Sequence, residues 1–344
     1  MIKTLYLIIG ILIVYIFINI IPIKNKKNAF INVVFLVLLW ILILRGKFSD
    51  MINYSDMFTY IGTLSWKNLR IVNWEYGFVV LNKLIYILTK NEQIFFSIIS
   101  IITLGGQYVF IKKYSKNYLG SIILFIGLNF YNYNYILLRQ EIAITIILFS
   151  IKYIENNNAI RFLFSVFLAS LFHQSALVFI FIYPLNKIRC TNKLKIYMVP
   201  IFVFVYIIRG VIKNVIYIDK YVIYEGGVQS SDGYTMLMVL IAVYIAMLIT
   251  EMLLKIKKED YNAENVFWWM YIIAIVAQIL ATTQSIMARI VLYFNLSMIV
   301  LLPNTIEKIE DKNSKILINI LLIIMILGFS FTNQPMSEYR LFFK

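Results

Sequence analysis

Two short stretches carry the side chains best suited to chemistry. Arg139 and Gln140 follow a run of alternating tyrosine and asparagine, Tyr131 to Tyr135, and open an apolar segment. His173 is the only histidine in the chain and lies with Gln174 and Ser175 inside another apolar segment. A guanidinium is a planar, permanently charged fork that matches phosphate oxygens. An imidazole titrates near neutrality and can take a proton from an attacking hydroxyl. Arg289, between two apolar runs in the stretch Gln284 to Ile290, is a second candidate for an anionic group. Each also has a plainer reading. Arg139 can pair with Glu141 or reach for headgroups, and His173 can be a satisfied core histidine. An ionisable residue inside a membrane segment is nonetheless a functional candidate by default.

A second set of candidates lies in residues 45–76. Asp56 and Tyr60 are four apart, so a short helix puts them on one face. Glu75-Tyr76-Gly77 opens the next apolar run. Aromatic rings and carboxylates in one loop suit a sugar, whose C–H faces stack on rings and whose hydroxyls bind carboxylates. The competing reading is an interfacial aromatic belt with solvated acids.

Apolar helices must position these groups. Of the 344 residues, 61% are hydrophobic and 14% charged, and apolar runs of spanning length recur from end to end, which implies an all-α, polytopic membrane protein. The reading is one transmembrane domain over 1–344 with about ten to twelve spanning helices and outer loops at 45–76 and 213–233. Spans are expected at about 4–22, 29–44, 119–135, 136–154, 195–212, 234–254, 264–283, 286–303 and 315–331. Residues 1–21 lack a cleavage pattern and read as a retained first helix. The net charge of +15 is spread over short loops, where lysines set topology and meet anionic lipid, so no nucleic-acid partner is expected. One cysteine and one histidine argue against a metal cluster, and no cofactor is expected. Neither a P-loop, an HExxH nor a G-x-S-x-G elbow is present.

Charge bias sets the topology. The lysine clusters at 24–27, 112–116, 152–161, 187–195, 255–258 and 308–315 share one side only under two conditions. Residues 77–112 must make one net crossing, and 160–184 must enter and return as a re-entrant hairpin with Phe172-His173-Gln174-Ser175 at its tip. The alternative for 160–184 is one tilted span of roughly 25 residues. With the hairpin, both termini and the candidate residues lie on the outer side.

The acidic loop with Asp56 and Tyr60, Glu75-Tyr76-Gly77, Arg139-Gln140 and the block Ala169-Ser170-Leu171-Phe172-His173-Gln174-Ser175-Ala176-Leu177 resemble, in that order, the EpsG-like family of Wzy-type bacterial polysaccharide polymerases. The similarity runs over roughly residues 45–190 and more loosely to Pro335 and Tyr339. The resemblance implies a membrane-embedded glycosyltransferase of the C type in the bacterial cytoplasmic membrane, with its active site facing outward. Its substrates would be oligosaccharide repeat units on undecaprenyl diphosphate, and a chain-length regulator is a partner the resemblance allows. Joined to the residue reading, Arg139, aided by Arg289 and Gln140, neutralises the diphosphate without a metal. His173 or Asp56 acts as base, with Gln174 and Ser175 beside the histidine, and Tyr60, Glu75, Tyr76 and Tyr131 line the sugar path. A lipid-linked oligosaccharide flippase, a ligase and an acyltransferase are the rival readings.

Overall fold

The computed structural model describes residues 4–46, 50–215, 230–253 and 262–332. Most of the outer loop 213–233, Lys255 to Lys258, and the C-terminal Pro335 and Tyr339 lie outside the described residues. Among the described residues the chain is helical, with no β-strand. Seven helices are long and apolar enough to cross a membrane, as expected for a polytopic membrane protein.

Helices α1 (Thr4–Ile20) and α2 (Lys26–Ile43) form an antiparallel pair, followed by α3 (Asp50–Thr63), α4 (Tyr76–Leu88) and α5 (Glu92–Tyr114). At 23 residues, α5 reaches about 35 Å and spans a bilayer, whereas the 13 residues of α4 reach only about 20 Å. Residues 77–112 therefore contain a single helix of crossing length. Asparagine starts several helices. The Asn91 side chain accepts from the backbone N–H of Gln93 and Ile94, which opens α5. Asn117 does the same for α6 (Tyr118–Gly127), accepting from Gly120 N–H. Such caps satisfy donors that helix geometry leaves open.

The single span expected over 119–135 is two helices. After α6 the chain turns through Asn129, whose φ of 65° is left-handed, and continues as α7 (Phe130–Ile136). Asparagine tolerates that conformation better than its neighbours Leu128 and Phe130 do, so the break falls there. Next come α8 (Leu138–Glu155) and α9 (Ala159–Ser170), which lie against each other. The charges of α8, Arg139 and Glu141 among them, are accommodated because α8 is enclosed by other helices.

Residues 160–184 reverse direction. Beyond α9 the chain is irregular through Leu171–His173, then 3-10 over Gln174–Phe181 and helical over α10 (Ile182–Asn186). In a straight helix Phe162 and Tyr183 would stand about 31 Å apart. Their rings instead stack at 5.4 Å, and Phe162 also meets Phe179 at 6.1 Å. The segment is thus a helical hairpin rather than one tilted span. Each arm, at about 18 Å for α9, is shorter than a hydrocarbon core.

The remaining helices are α11 (Asn192–Val215), α12 (Ser230–Leu253), α13 (Asn262–Ala281), α14 (Ser285–Asn295), α15 (Met298–Glu307) and α16 (Lys312–Thr332). The span expected over 286–303 is kinked between α14 and α15, where Ser297 Oγ donates to Phe294 O at 2.7 Å, a back-bond that bends helices. Buried α13, α14 and α15 form the centre, while α11 and α16 present apolar faces outward. Among the described residues, the basic clusters meet at one end of the bundle. Lys113 pairs with Glu155 at 3.1 Å, Lys195 with Glu251 at 2.6 Å and Lys308 with Glu264, tying the ends of α5 and α8, α11 and α12, and α13 and α15.

Candidate functional site

At the opposite end, four separate parts of the chain converge. The first is the N-terminus of α4. Gly77 N–H donates to Leu171 O at 2.8 Å, so the Glu75-Tyr76-Gly77 turn docks on the hairpin tip. A Cβ on residue 77 would lie 2.7 Å from that oxygen, and only glycine allows this approach. The second part is the first turn of α8, where Arg139 Nη1 donates to Glu75 Oε2 at 2.6 Å and the guanidinium lies over the Trp74 ring at 4.9 Å. A charge-assisted bond and a cation–π contact hold one arginine in one orientation.

The hairpin tip is the third part. His173 adopts extended backbone ahead of the 3-10 segment, and its Nδ1 shares a hydrogen with Ser175 Oγ at 2.6 Å. Ser175 Oγ in turn donates to Tyr293 Oη at 3.3 Å. The fourth part is α14, which supplies Tyr293 and, one turn earlier, Arg289. Gln140 Nε2 donates to Arg289 O at 2.5 Å and joins α8 to α14. His173 lies within electrostatic reach of Glu75, Arg289 and Arg139, so the tip reaches the level of both arginines.

Tyr54 completes the wall from α3. Its ring meets Trp74 at 5.4 Å and its hydroxyl lies near the Arg139 guanidinium. Burial raises its hydroxyl above the ordinary tyrosine range, against the pull of the Arg139 charge. Two polar atoms in the cluster are buried without partners, Arg139 Nε and Gln140 Oε1. A buried polar atom left open is costly, so both are ready to meet a ligand. Two arginines, one carboxylate, one imidazole and hydroxyls in one space can hold a diphosphate and move a proton.

The structure thus brings together Glu75, Arg139, Gln140, His173, Ser175 and Arg289. Asp56 and Tyr60 do share one face of α3, and that face is exposed while Tyr54 and Phe58 point inward. Tyr76 and Gln174 are exposed beside the cluster. Tyr131 is fully buried, and its hydroxyl donates to Leu38 O at 2.7 Å, so it offers no surface to a sugar. Glu141 is not the partner of Arg139. It is buried and accepts from Gln107 Nε2 at 2.7 Å. Tyr54, Trp74 and Tyr293 escape sequence reasoning, although Tyr293 sits one helical turn from Arg289 and Trp74 directly precedes Glu75. Arg45 escapes it as well. It is wholly buried at the end of α2, where it donates to Asn134 O at 2.7 Å and stacks near Phe96 and Tyr135.

The EpsG family model matches this chain over residues 28–342. That match covers all four parts of the site. No curated protein sequence and no solved structure matches the chain at a significant level.

Proposed function

The chain belongs to the EpsG family of membrane proteins of polysaccharide biosynthesis, and we propose that it is a polymerase joining oligosaccharide repeat units carried on undecaprenyl diphosphate. One observation carries the reading. Glu75, Arg139, His173 and Arg289, distant in sequence, form one mixed-charge site at the end of the bundle away from the lysine clusters. The bias of lysine toward the cytoplasm supports a site at the outer face.

In the proposed step the diphosphate of the donor binds between Arg139 and Arg289. It competes with Glu75 for the guanidinium, and the released carboxylate accepts hydrogen bonds from sugar hydroxyls. The acceptor hydroxyl attacks the anomeric carbon of the donor. The bond from that carbon to the phosphate oxygen breaks, and undecaprenyl diphosphate leaves with the electron pair. Charge growing on the leaving group meets two fixed guanidinium groups, each worth on the order of 3 kcal/mol in the transition state. The acceptor proton passes to His173 Nε2, because Nδ1 is engaged with Ser175. His173 is favoured over Asp56 as the base, since Asp56 faces away from the cluster. No metal is needed for this electrostatic role.

The test is polymerisation of a synthetic lipid-diphosphate repeat unit by the purified chain in nanodiscs with EDTA present. The expected result is a ladder of products from wild type, lost in Arg139→Ala, reduced in His173→Ala and retained in Asp56→Asn. A wild-type protein that makes no ladder but moves labelled lipid across the bilayer would overturn the polymerase in favour of a flippase.

A further inference from the structure

A polar cavity lies at the lysine end, away from Arg139. It has a volume of about 260 Å³ and is enclosed by the end of α1, the start of α2, the start of α6 and the end of α15. Lys26, Lys27 and Lys116 line it, with Glu307 as the one acidic residue in its wall. Glu307 bonds a fellow wall residue and a lysine outside the wall. Asn117 Nδ2 donates to Oε1 at 2.8 Å and Lys315 Nζ to Oε2 at 2.5 Å. With three lysines to one carboxylate, the charge of the wall is positive.

The cavity wall is held in place rather than being a chance gathering of side chains. Lys26 Nζ donates to Asn19 O at 2.6 Å, which ties α2 to the end of α1. The Lys116 backbone N–H donates to Asn304 Oδ1 at 2.8 Å, which fixes the α5–α6 turn on α15. One side of the cavity is apolar, built by Tyr15 and Phe30, whose rings meet edge to face at 5.3 Å. Beside it, α1 exposes Ile9, Ile13, Ile16 and Ile20, and its neighbour α16 exposes Leu317, Ile320, Leu321 and Ile324. A cationic recess bordered by α1, whose outward face and that of its neighbour α16 are apolar, matches a molecule with an anionic head and hydrocarbon tails.

We propose that this cavity binds the phosphodiester head of an anionic phospholipid, whose acyl chains lie along α1 and α16. Basic pockets between transmembrane helices recognise such heads by this combination of charge and shape. The site is separate from the polymerase site and does not depend on that reading.

The test is native mass spectrometry of the full chain in detergent, offered phosphatidylglycerol or phosphatidylcholine. Wild type should retain one phosphatidylglycerol in preference to phosphatidylcholine. The preference should fall roughly fivefold in Lys27→Gln and disappear in the triple variant Lys26→Gln, Lys27→Gln, Lys116→Gln. Lys27 is exposed on the first turn of α2, so the single variant keeps the test decisive if the triple variant fails to fold. Equal retention of both lipids by wild type, or an unchanged preference in Lys27→Gln, overturns the proposal. Binding of inorganic phosphate in an arm without lipid, paired with no lipid preference, also overturns it and assigns the cavity to a free phosphate.

Discussion

Gly77→Ala is the most economical probe of how the site is assembled. In wild type the Gly77 N–H reaches Leu171 O at 2.8 Å. An added Cβ would stand 2.7 Å from that oxygen and 2.9 Å from Leu171 Cβ, whereas ordinary contact begins near 3.4 Å. The start of α4 and the hairpin tip must therefore part by about 0.7 Å, which carries the hydrogen bond to the edge of the bonding range. The lost bond costs about 1 kcal/mol and the overpacking roughly 1–3 kcal/mol. Glu75 lies two residues before this contact and His173 two residues after Leu171, so the displacement spreads both away from Arg139. A misplacement of about 1 Å in a reacting constellation can cost roughly 100-fold, and the smaller shift here should cost on the order of 10- to 100-fold in polymerisation rate. The assay is the nanodisc ladder, timed, alongside thermal melting of the same preparation. Gly105→Ala is the matched control, because a Cβ there meets nothing within 4 Å and the helix gains propensity. A Gly77→Ala enzyme with the rate of Gly105→Ala would refute the claim that this contact positions the site. So would one that melts earlier yet turns over normally.

Other substitutions separate roles. Arg139→Lys keeps the charge but loses the fork that meets Glu75 and Tyr54, so activity should fall at least tenfold while expression is unchanged. Tyr131→Phe removes the hydroxyl's bond to Leu38 O and its longer contact with Tyr135 Oη at 3.4 Å, and should cost about 1 kcal/mol of stability with a wild-type ladder. Glu251→Gln leaves Lys195, whose side chain is 3% exposed, as an unpaired buried cation over Trp268. The expected loss is roughly 3–5 kcal/mol, read by melting temperature.

Much of this arrangement is legible in the sequence because membranes impose simple rules. Apolar runs mark spans, and those lysine clusters that fall among the described residues do meet at one end. The hairpin follows from the same charge rule, since only a reversal keeps Arg161 and Lys187 together. Other features depend on packing that no local pattern records. The break at Asn129 rests on one residue accepting a left-handed turn. Tyr131 reads in sequence as a residue of the sugar path, but beyond the break at Asn129 it is buried with its hydroxyl on Leu38 O. Arg139 has Glu141 two positions away, yet neighbours at that spacing point to different sides of a helix. Its partner is Glu75, brought close by the dock between Gly77 and Leu171. The inward face of α3 is hidden in the same way, because the polar Asp56 and Tyr60 face draws attention while Tyr54 makes the contact.

The hairpin also makes a claim about the membrane that can be tested without substrate. Cys190 is the only cysteine, so Cys190→Ser gives a clean background for single-cysteine labelling in intact cells. Asn157, before α9, and Ile188, after α10, flank the hairpin, and the stacking of Phe162 on Tyr183 holds its two arms together. Cysteines at 157 and 188 should therefore react with an impermeant maleimide from the same side, and a cysteine at the exposed Tyr60 of α3 from the other. Lysine bias sets the first pair inside, so in whole cells only the cysteine at 60 should label. Labelling of 157 and 188 from opposite sides would require a crossing of some 25 residues. That outcome is incompatible with the stacked rings, and it would separate His173 from the arginines on which the proposed chemistry depends.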